Sequence, residues 1–326
     1  MKLSTHLGTP LRMKGRAGCP SAPCGAAVPQ SWKSFAGVRD EPKPDDPSGF
    51  TRTDLLGVLA TVALLAVVIT PSLGDSREQS RAGVCLVNLK RLTLGWTMYA
   101  ADNDRWLPPT PDDGNTTPGR NWVPGLAGVS GAQEFDAAIL ADRSRSMIYP
   151  YLENDVSVFR CPADPRRGLF RPSGLPPVPN APAARSVAAN AAVGVNPNSA
   201  GAKVPTDGPW LDSNHSHTYG RKWFTYGRLD QIVAPSPAGL WMLIDEAEAS
   251  INEGTLAFGM EREEWIDWPG SRHDLGATIS FADGHAELHH WQDSRTILTG
   301  GFVTRLSVPG SLDYAWLRER TSALIP

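Results

Sequence analysis

The chain has 326 residues, enough for one or two domains, and 41% of them are hydrophobic, which is ordinary for a globular protein. Its 31 glycines and 29 prolines predict long loops and a modest helix content. The net charge of −3 argues against the strongly basic balance of a nucleic-acid-binding protein, so we expect no nucleic-acid partner.

Charge is distributed unevenly along the chain. Residues 1–39 carry six basic side chains and no acidic one, whereas the residues after Gly49 carry 24 basic and 30 acidic side chains. A basic start, an apolar run and an acidic remainder are typical of a membrane-targeted protein with its N-terminus in the cytoplasm.

The apolar run is Leu55–Thr70, LLGVLATVALLAVVIT, and it carries no charge. As a helix it spans about 24 Å, whereas a bilayer core is about 30 Å thick. Extending the run back to Phe50 completes the span but includes Arg52 and Asp54. We predict a membrane segment. The alternatives are the apolar region of a signal peptide, disfavoured because no Ala-x-Ala-like site follows, and a buried core helix.

An amphipathic helix is predicted after this run. Its apolar residues recur at steps of four, three, four and three, and therefore form one stripe that we expect to pack on a sheet. The stripe consists of Cys85, Leu89, Leu92, Trp96 and Tyr99.

Two patterns near the C-terminus predict strands. Gly239–Ile244, GLWMLI, is typical of a buried strand. Thr278–Ala282 and His285–His290 alternate on either side of Asp283-Gly284, and Asp-Gly between two alternating runs is among the strongest short hairpin signals.

Residues 49–56, GFTRTDLL, overlap the start of the apolar run. They resemble the class III signal of type IV pilins and type II secretion pseudopilins, usually GFTLIELL. The resemblance implies that prepilin peptidase cuts between Gly49 and Phe50 and that Phe50 is then N-methylated. It also implies that Asp54, where the family has glutamate, is the assembly carboxylate that pairs with the new amino group. Pro71 lies where pilin helices are often kinked by a proline, so the resemblance implies a helix kink there. The alternative interpretation is that Pro71 ends the helix.

Three further blocks resemble a large group of pilin-like proteins known mainly from planctomycetes and verrucomicrobia. The first is CLVNLKRLTLGWTMYAADNDRWLPP from Cys85 to Pro109, and the second is VFRCPAD over residues 158–164. The third is a C-terminal signature of His273, nine residues, and then Asp283-Gly284. Together with the signal, the resemblance extends from Gly49 to about Trp291.

The resemblance implies an α+β, pilin-like fold, in which a long N-terminal transmembrane and spine helix packs on an antiparallel β-sheet domain with long loops. We expect a cleaved cytoplasmic leader over 1–49, a transmembrane half-helix over 50–71, an amphipathic spine helix over 72–101, and a periplasmic β-rich domain over 102–326. The protein is then expected to cross the inner membrane once, with its N-terminus in the cytoplasm and its C-terminal domain in the periplasm.

The predicted cut divides the four cysteines. Cys19 and Cys24 lie in the leader and lack further ligands at zinc spacing. Cys85 and Cys161 are in the exported part, where thiols are oxidised, and a disulfide between them is predicted. Its closed loop of about 77 residues would stabilise the fold by about 4–5 kcal/mol. The alternative is a pair of buried free thiols.

A metal site is a second interpretation of the C-terminal signature. His273, Asp283 and His285 would suit zinc or manganese, with Asp245, Glu246 and Asp267 nearby, whereas carboxylates alone would suit calcium. The alternative, which we favour, is that Asp283 caps the turn and His273 donates a hydrogen bond to a loop backbone. We therefore expect no cofactor, with a structural ion such as calcium as the alternative.

The leading functional hypothesis is a pseudopilin-like structural subunit. Prepilin peptidase would process it, inner-membrane lipid would anchor it, and it would assemble with like subunits in a type II secretion or type IV pilus-like machinery. The sequence contains no Gly-rich phosphate loop, no Gly-x-Ser-x-Gly elbow and no His-Glu-x-x-His motif, so we expect no enzyme activity.

Two other hypotheses stay open. A membrane-tethered periplasmic binding module would use the pilin signal only for export, and a metal-dependent hydrolase would be built on His273 and His285. In the binding module, some of the 11 tryptophans would line a carbohydrate or peptide surface, although most tryptophans are core residues. The candidates for that surface are Trp210, Trp223, Trp265, Trp268 and Trp291.

Overall fold

The computed structural model describes residues 51–112, 114–128, 131–198, 203–301, 303 and 305–326, and for residues 66–78 it describes the backbone only. The chain divides into two parts, residues 1–58 and residues 59–326, and each is described by itself. The predicted cleavage site at Gly49 and Phe50 lies outside the described residues, as do Cys19 and Cys24.

The first helix, α1, extends over Arg52–Asp102, 51 residues. It begins with a reciprocal pair of hydrogen bonds. The Asp54 amide donates to the Thr51 hydroxyl, and the Thr51 amide donates to the Asp54 carboxylate. Such a capping box satisfies amide groups that a helix start leaves unpaired. The helix ends just before Asp104 and Arg105, which adopt left-handed backbone conformations with φ of 55° and 68°.

The predicted transmembrane half-helix is wrong. Among the described residues, none of the helices has a stretch that is both long enough and apolar enough to cross a membrane. The uncharged run Leu55–Thr70 is shorter than the ~20 residues that a hydrocarbon core requires, and Arg52 and Asp54 lie directly before it. The predicted location in the inner membrane depends on that span, and the same finding overturns it.

The described residues form nine strands, one further helix and several short 3-10 helices. The strands are β1 Arg167–Phe170, β2 Val178–Pro182, β3 Val187–Asn190, β4 Trp241–Asp245, β5 Thr255–Leu256, β6 Glu264–Trp265, β7 Gly276–Phe281, β8 Ala286–His290 and β9 Leu306–Ser307. The second helix, α2, is Leu312–Thr321. The 3-10 helices are Ile139–Ala141, Tyr149–Tyr151, Val156–Phe159, Leu229–Gln231 and Ser294–Thr296.

Five strands form the central sheet, in the order β5-β3-β4-β7-β8. The pairs β3–β4, β4–β7 and β7–β8 are antiparallel, whereas β5 pairs parallel with β3. The predicted fold class, a long transmembrane and spine helix on an antiparallel sheet, is therefore wrong: none of the described helices has the membrane-spanning half, and the sheet also contains the parallel strand β5. Two smaller antiparallel pairs, β1 with β2 and β6 with β9, complete the strand pairing of the described residues.

The predicted C-terminal strands are present. The buried strand expected over Gly239–Ile244 is β4, displaced by one or two residues. The hairpin expected around Asp283-Gly284 is formed by β7 and β8, and Gly284 has the positive φ, 92°, that this turn requires.

The predicted apolar stripe of α1 is also present. Cys85, Leu89, Leu92 and Trp96 are at most 2% exposed, and Tyr99 is 6% exposed. The two leucines and the tryptophan belong to one buried core with the strand residues of β4 and β7. The periodicity of the sequence therefore identified the buried face of this part of the helix.

The tryptophans proposed as a binding surface lie mostly inside the protein. Trp223, Trp265, Trp268 and Trp291 are buried, and Trp210 is half-buried. Large aromatic side chains contribute most of their free energy when removed from water, which is why they fill this core.

Candidate functional site

Four buried side chains with metal-binding or redox chemistry meet at one point of the core. Cys85 is on α1, Cys161 follows the 3-10 helix Val156–Phe159, Asp245 ends β4, and His273 lies three residues before β7. All four are at most 2% exposed. Four segments that are far apart along the chain therefore contribute one side chain each.

Local structure holds each of these residues in place. Cys85 belongs to the buried stripe of α1, and Asp245 is the last residue of a strand whose other members are apolar. His273 opens a tight turn, in which its backbone exchanges hydrogen bonds of 3.3 Å and 3.0 Å with Gly276. The two residues between them have positive φ, as a two-residue hairpin turn requires.

The donor atoms of the four side chains are close together. The Sγ atoms of Cys85 and Cys161 are 3.0 Å apart, and both residues are thiols. Nε2 of His273 lies 3.3 Å from the Cys161 sulfur and 3.6 Å from Oδ2 of Asp245. The whole set, one atom from each residue, falls within 4.8 Å.

A surrounding shell orients these groups. The amide of Ala163 donates to the Cys161 sulfur at 3.3 Å, and the Thr278 hydroxyl donates to Oδ2 of Asp245 at 2.5 Å. Nη1 of Arg272 lies 4.0 Å from Oδ1 of Asp245, and this guanidinium is also buried. Hydrogen bonds of this kind fix both the direction and the charge of groups that bind a metal.

The electrostatics favour one thiolate beside a protonated imidazole when no ligand is bound. The hydrogen bond from Cys85 lowers the pKa of the Cys161 thiol, against the effect of burial, and His273 contributes in the same direction. Cys85 donates that hydrogen bond, and the donation together with burial raises the pKa of the Cys85 thiol. Burial lowers the pKa of His273, but Asp245 and Cys161 outweigh burial and raise it to about 10.

This arrangement can do two kinds of chemistry. Two sulfurs in contact can be oxidised to a disulfide, and two sulfurs, one imidazole and one carboxylate can bind a metal ion. The disulfide between Cys85 and Cys161 stays a prediction, since the structure brings their sulfurs together as thiols.

The structure does not bring the predicted metal triad together. Asp283 and His285 lie in the exposed turn of the β7–β8 hairpin, where the carboxylate is 2.5 Å from Nδ1 of the imidazole. His273 is at the opposite end of the hairpin, and the strand between them covers about 20 Å at 3.3 Å per residue. Asp283 also accepts a hydrogen bond from the amide of His285, as the turn-capping alternative expects.

The other carboxylates that the sequence placed near His273 form a separate buried network. Asp245 points to the cysteines, whereas Glu246, the next residue along the chain, lies with Glu253, Asp267 and Arg185. Burial is the largest cause of the raised pKa of Glu253, about 9, and the charge of Asp267 adds to it. Burial likewise raises the pKa of Glu246. Successive residues of an extended chain point to opposite sides, which explains the division.

Asp54 and Pro71, two residues to which the pilin resemblance assigns a role, are within the described chain. Asp54 takes part in the capping box with Thr51, and these hydrogen bonds lower the pKa of its carboxyl group. The backbone of α1 continues through Pro71 to Asp102, so the helix does not stop at this proline.

Sequence reasoning found each member of the cysteine cluster but not the cluster. The predicted cut leaves Cys85 and Cys161 as a pair, Asp245 ends a predicted strand, and His273 opens the C-terminal signature. No short spacing connects them, because the four segments meet only after the sheet has formed. Searches against protein-family models, curated proteins and solved structures find no match to this chain.

Proposed function

We propose that this protein is a pilin-like structural subunit, without catalytic activity, that associates with further copies of itself through the N-terminal part of α1. The observation that carries the proposal is a seam of exposed apolar side chains on this helix. Leu55, Val58, Val62 and Leu65 follow one another at steps of three, four and three residues. That is the a/d spacing by which helices pack side by side.

The seam is accessible to a partner. Its four side chains are exposed by between 49% and 57%. Burying an apolar side chain of this size is worth about 1.5–3 kcal/mol, so a seam left in water is unfavourable. The occupant that we propose is the same seam of a second copy, since a helix with a/d spacing is complementary to itself.

Processing by prepilin peptidase is part of the same proposal. Cleavage between Gly49 and Phe50 would leave the new amino group just before the first turn of α1, which begins at Arg52. The carboxylate of Asp54 lies in that turn and would compensate a positive charge there. The length of the leader that is removed does not affect the seam, which lies entirely after the cut.

The proposal is tested by measuring the self-association of the full chain by sedimentation equilibrium. Replacing Val62→Asp and Leu65→Asp together removes two seam residues and adds two charges, so we expect association to weaken by at least about 100-fold. The matched control is Leu64→Asp. Leu64 is 71% exposed on the same helix but lies outside the a/d positions, and its replacement should change association by less than about threefold.

Two outcomes would overturn the proposal. The unsubstituted chain could remain monomeric at every concentration measured, before and after removal of residues 1–49. Alternatively, the control substitution could weaken association as much as the double substitution, and then the contact would not run along the seam.

A further inference from the structure

We propose that Cys85, Cys161, Asp245 and His273 bind one zinc ion, which acts as a structural site at the centre of the domain. The proposal is independent of self-association, because it concerns only the buried cluster. It differs from the metal triad expected from the sequence, which shares His273 but draws its other ligands from the hairpin turn.

The donor set is the first argument. Structural zinc sites have four protein ligands from cysteine, histidine and acidic residues, and this cluster supplies two sulfurs, one nitrogen and one oxygen. Thiolates are soft ligands that favour zinc over magnesium or calcium, which take oxygen ligands in larger number. The four groups are therefore matched to zinc by type and by number.

The distances are the second argument. Zinc bonds of about 2.0–2.3 Å in a tetrahedron place neighbouring donor atoms roughly 3.3–3.8 Å apart. Cys161 and His273 are separated by 3.3 Å and His273 and Asp245 by 3.6 Å, close to these values. The two sulfurs, at 3.0 Å, would have to separate by roughly 0.7 Å, a displacement that cysteine side chains accommodate by small rotations.

Charge is the third argument. Two thiolates and one carboxylate carry three negative charges, and a divalent cation neutralises two of them. The guanidinium of Arg272, 4.0 Å from Asp245, adds positive charge, which it shares with Glu248, 3.0 Å from its Nε. Its Nη1 is buried without a hydrogen-bond partner among the described residues, whereas its Nη2 donates to the Glu246 carbonyl oxygen. A divalent cation would therefore remove most of the negative charge that burial disfavours.

The shell around the cluster is the fourth argument. Thiolate and carboxylate ligands are usually fixed by hydrogen bonds from outside the metal sphere. The Ala163 amide and the Thr278 hydroxyl provide such bonds to Cys161 and Asp245.

Four buried protein ligands leave no open position for a substrate, which is the property of a structural and not a catalytic zinc site. The ion would connect α1, the loop after Val156–Phe159, β4 and the turn before β7. Zinc binding and oxidation to a disulfide exclude each other, because both use the sulfurs of Cys85 and Cys161.

The experiment measures zinc in the full chain, purified under reducing conditions with zinc present, by inductively coupled plasma mass spectrometry. We expect one zinc per chain. Asp283→Asn with His285→Gln, the matched control, should retain it, whereas Asp245→Asn or His273→Gln should lower zinc affinity at least about tenfold. Cobalt exchanged into the unsubstituted chain should show sulfur-to-cobalt charge-transfer absorption, which reports thiolate ligands without any substitution.

Three results would overturn the proposal. The first is a chain that binds no zinc and whose intact mass is lower by two hydrogens, since its sulfurs then form a disulfide. The second is bound zinc that is lost in the Asp283→Asn, His285→Gln control and kept in the His273→Gln variant. The third is bound cobalt without sulfur charge-transfer absorption.

Discussion

The hydroxyl of Thr93 on α1 donates a hydrogen bond of 2.7 Å to the hydroxyl of Ser280 on β7, and both side chains are fully buried. This bond connects the buried face of the helix to β7 of the central sheet. Both hydroxyls are removed from water, where an unpaired hydroxyl is costly.

We therefore expect Thr93→Val to lower the free energy of unfolding by about 1–3 kcal/mol, because Ser280 loses its donor. Adding Ser280→Ala should recover part of that loss, so the two substitutions together cost less than their sum. Urea denaturation measures both effects. Thr97→Val, at an exposed position of the same helix, is the control. It removes a hydrogen bond of 3.0 Å from the Thr97 hydroxyl to a carbonyl oxygen within the helix, and it should change stability by less than about 0.5 kcal/mol.

Stability should fall with rising pH because of Glu253. Its carboxyl pKa is raised to about 9 by burial, whereas an unfolded glutamate titrates near 4.3. Between these values the folded state holds a proton that the unfolded state has lost, so the free energy of unfolding decreases as pH increases. His273 acts in the same direction, since its pKa of about 10 exceeds the unfolded value of about 6.5.

Glu253→Gln removes this titration, so the free energy of unfolding measured from pH 5 to pH 9 should decline less steeply in the variant than in the unsubstituted chain. Glu287→Gln, at an exposed position of β8, provides the control for loss of a carboxylate. If the free energy of unfolding declined with pH equally steeply in all three proteins, Glu253 would be ionised in the folded state.

Close packing at Gly128 makes it sensitive to a single methyl group. A Cβ atom there would lie 1.8 Å from the backbone carbonyl oxygen of Ile251, and a backbone atom cannot move aside as a side chain can. We expect Gly128→Ala to destabilise the protein by about 1–3 kcal/mol, measured by thermal and urea denaturation. Gly301→Ala, where nothing lies within 4 Å, should be close to neutral; an equally mild effect at both positions would contradict the close contact.

The mature N-terminus should be N-methylated Phe50. Mass spectrometry of the protein isolated from its native cells identifies the terminal residue and its modification. Gly49→Ile should block the cut, because a branched side chain hinders the close approach that glycine allows a protease. An intact leader, or a terminus after residue 70, would contradict processing by prepilin peptidase.

Parts of the fold that depend on local pattern could be predicted from the sequence. The stripe of α1 from Cys85 to Tyr99 has helical periodicity, and Asp283-Gly284 has turn chemistry that few other structures tolerate. The sequence mispredicts the membrane span because its charge asymmetry and apolar run are typical of a membrane segment, although Leu55–Thr70 is too short to cross a hydrocarbon core. The parallel pairing of β5 could not be predicted, since Thr255–Leu256 is too short to carry a period.

The candidate site, like the fold, could be predicted from the sequence only in part. Cys85 and Cys161 could be associated from the number and location of the cysteines. Asp245 and His273 join them only because β4 and β7 are neighbours in the sheet, and strand order is not encoded in any short segment. For the same reason Asp283, ten residues from His273 in the sequence, lies far from it in space.

The cysteine cluster is complete only when the ribosome has made most of the chain. Cys161 follows Cys85 by 76 residues, and His273 follows Cys161 by 112. At about 5–20 residues per second, the Cys85 thiol exists for on the order of 10 to 40 s before its last companion is synthesised. During that interval Cys19 and Cys24 of the same chain are already present. Until synthesis reaches His273, the Cys85 thiol can therefore form a disulfide with either of two other cysteines of the same chain, and a reducing environment during synthesis would prevent that reaction.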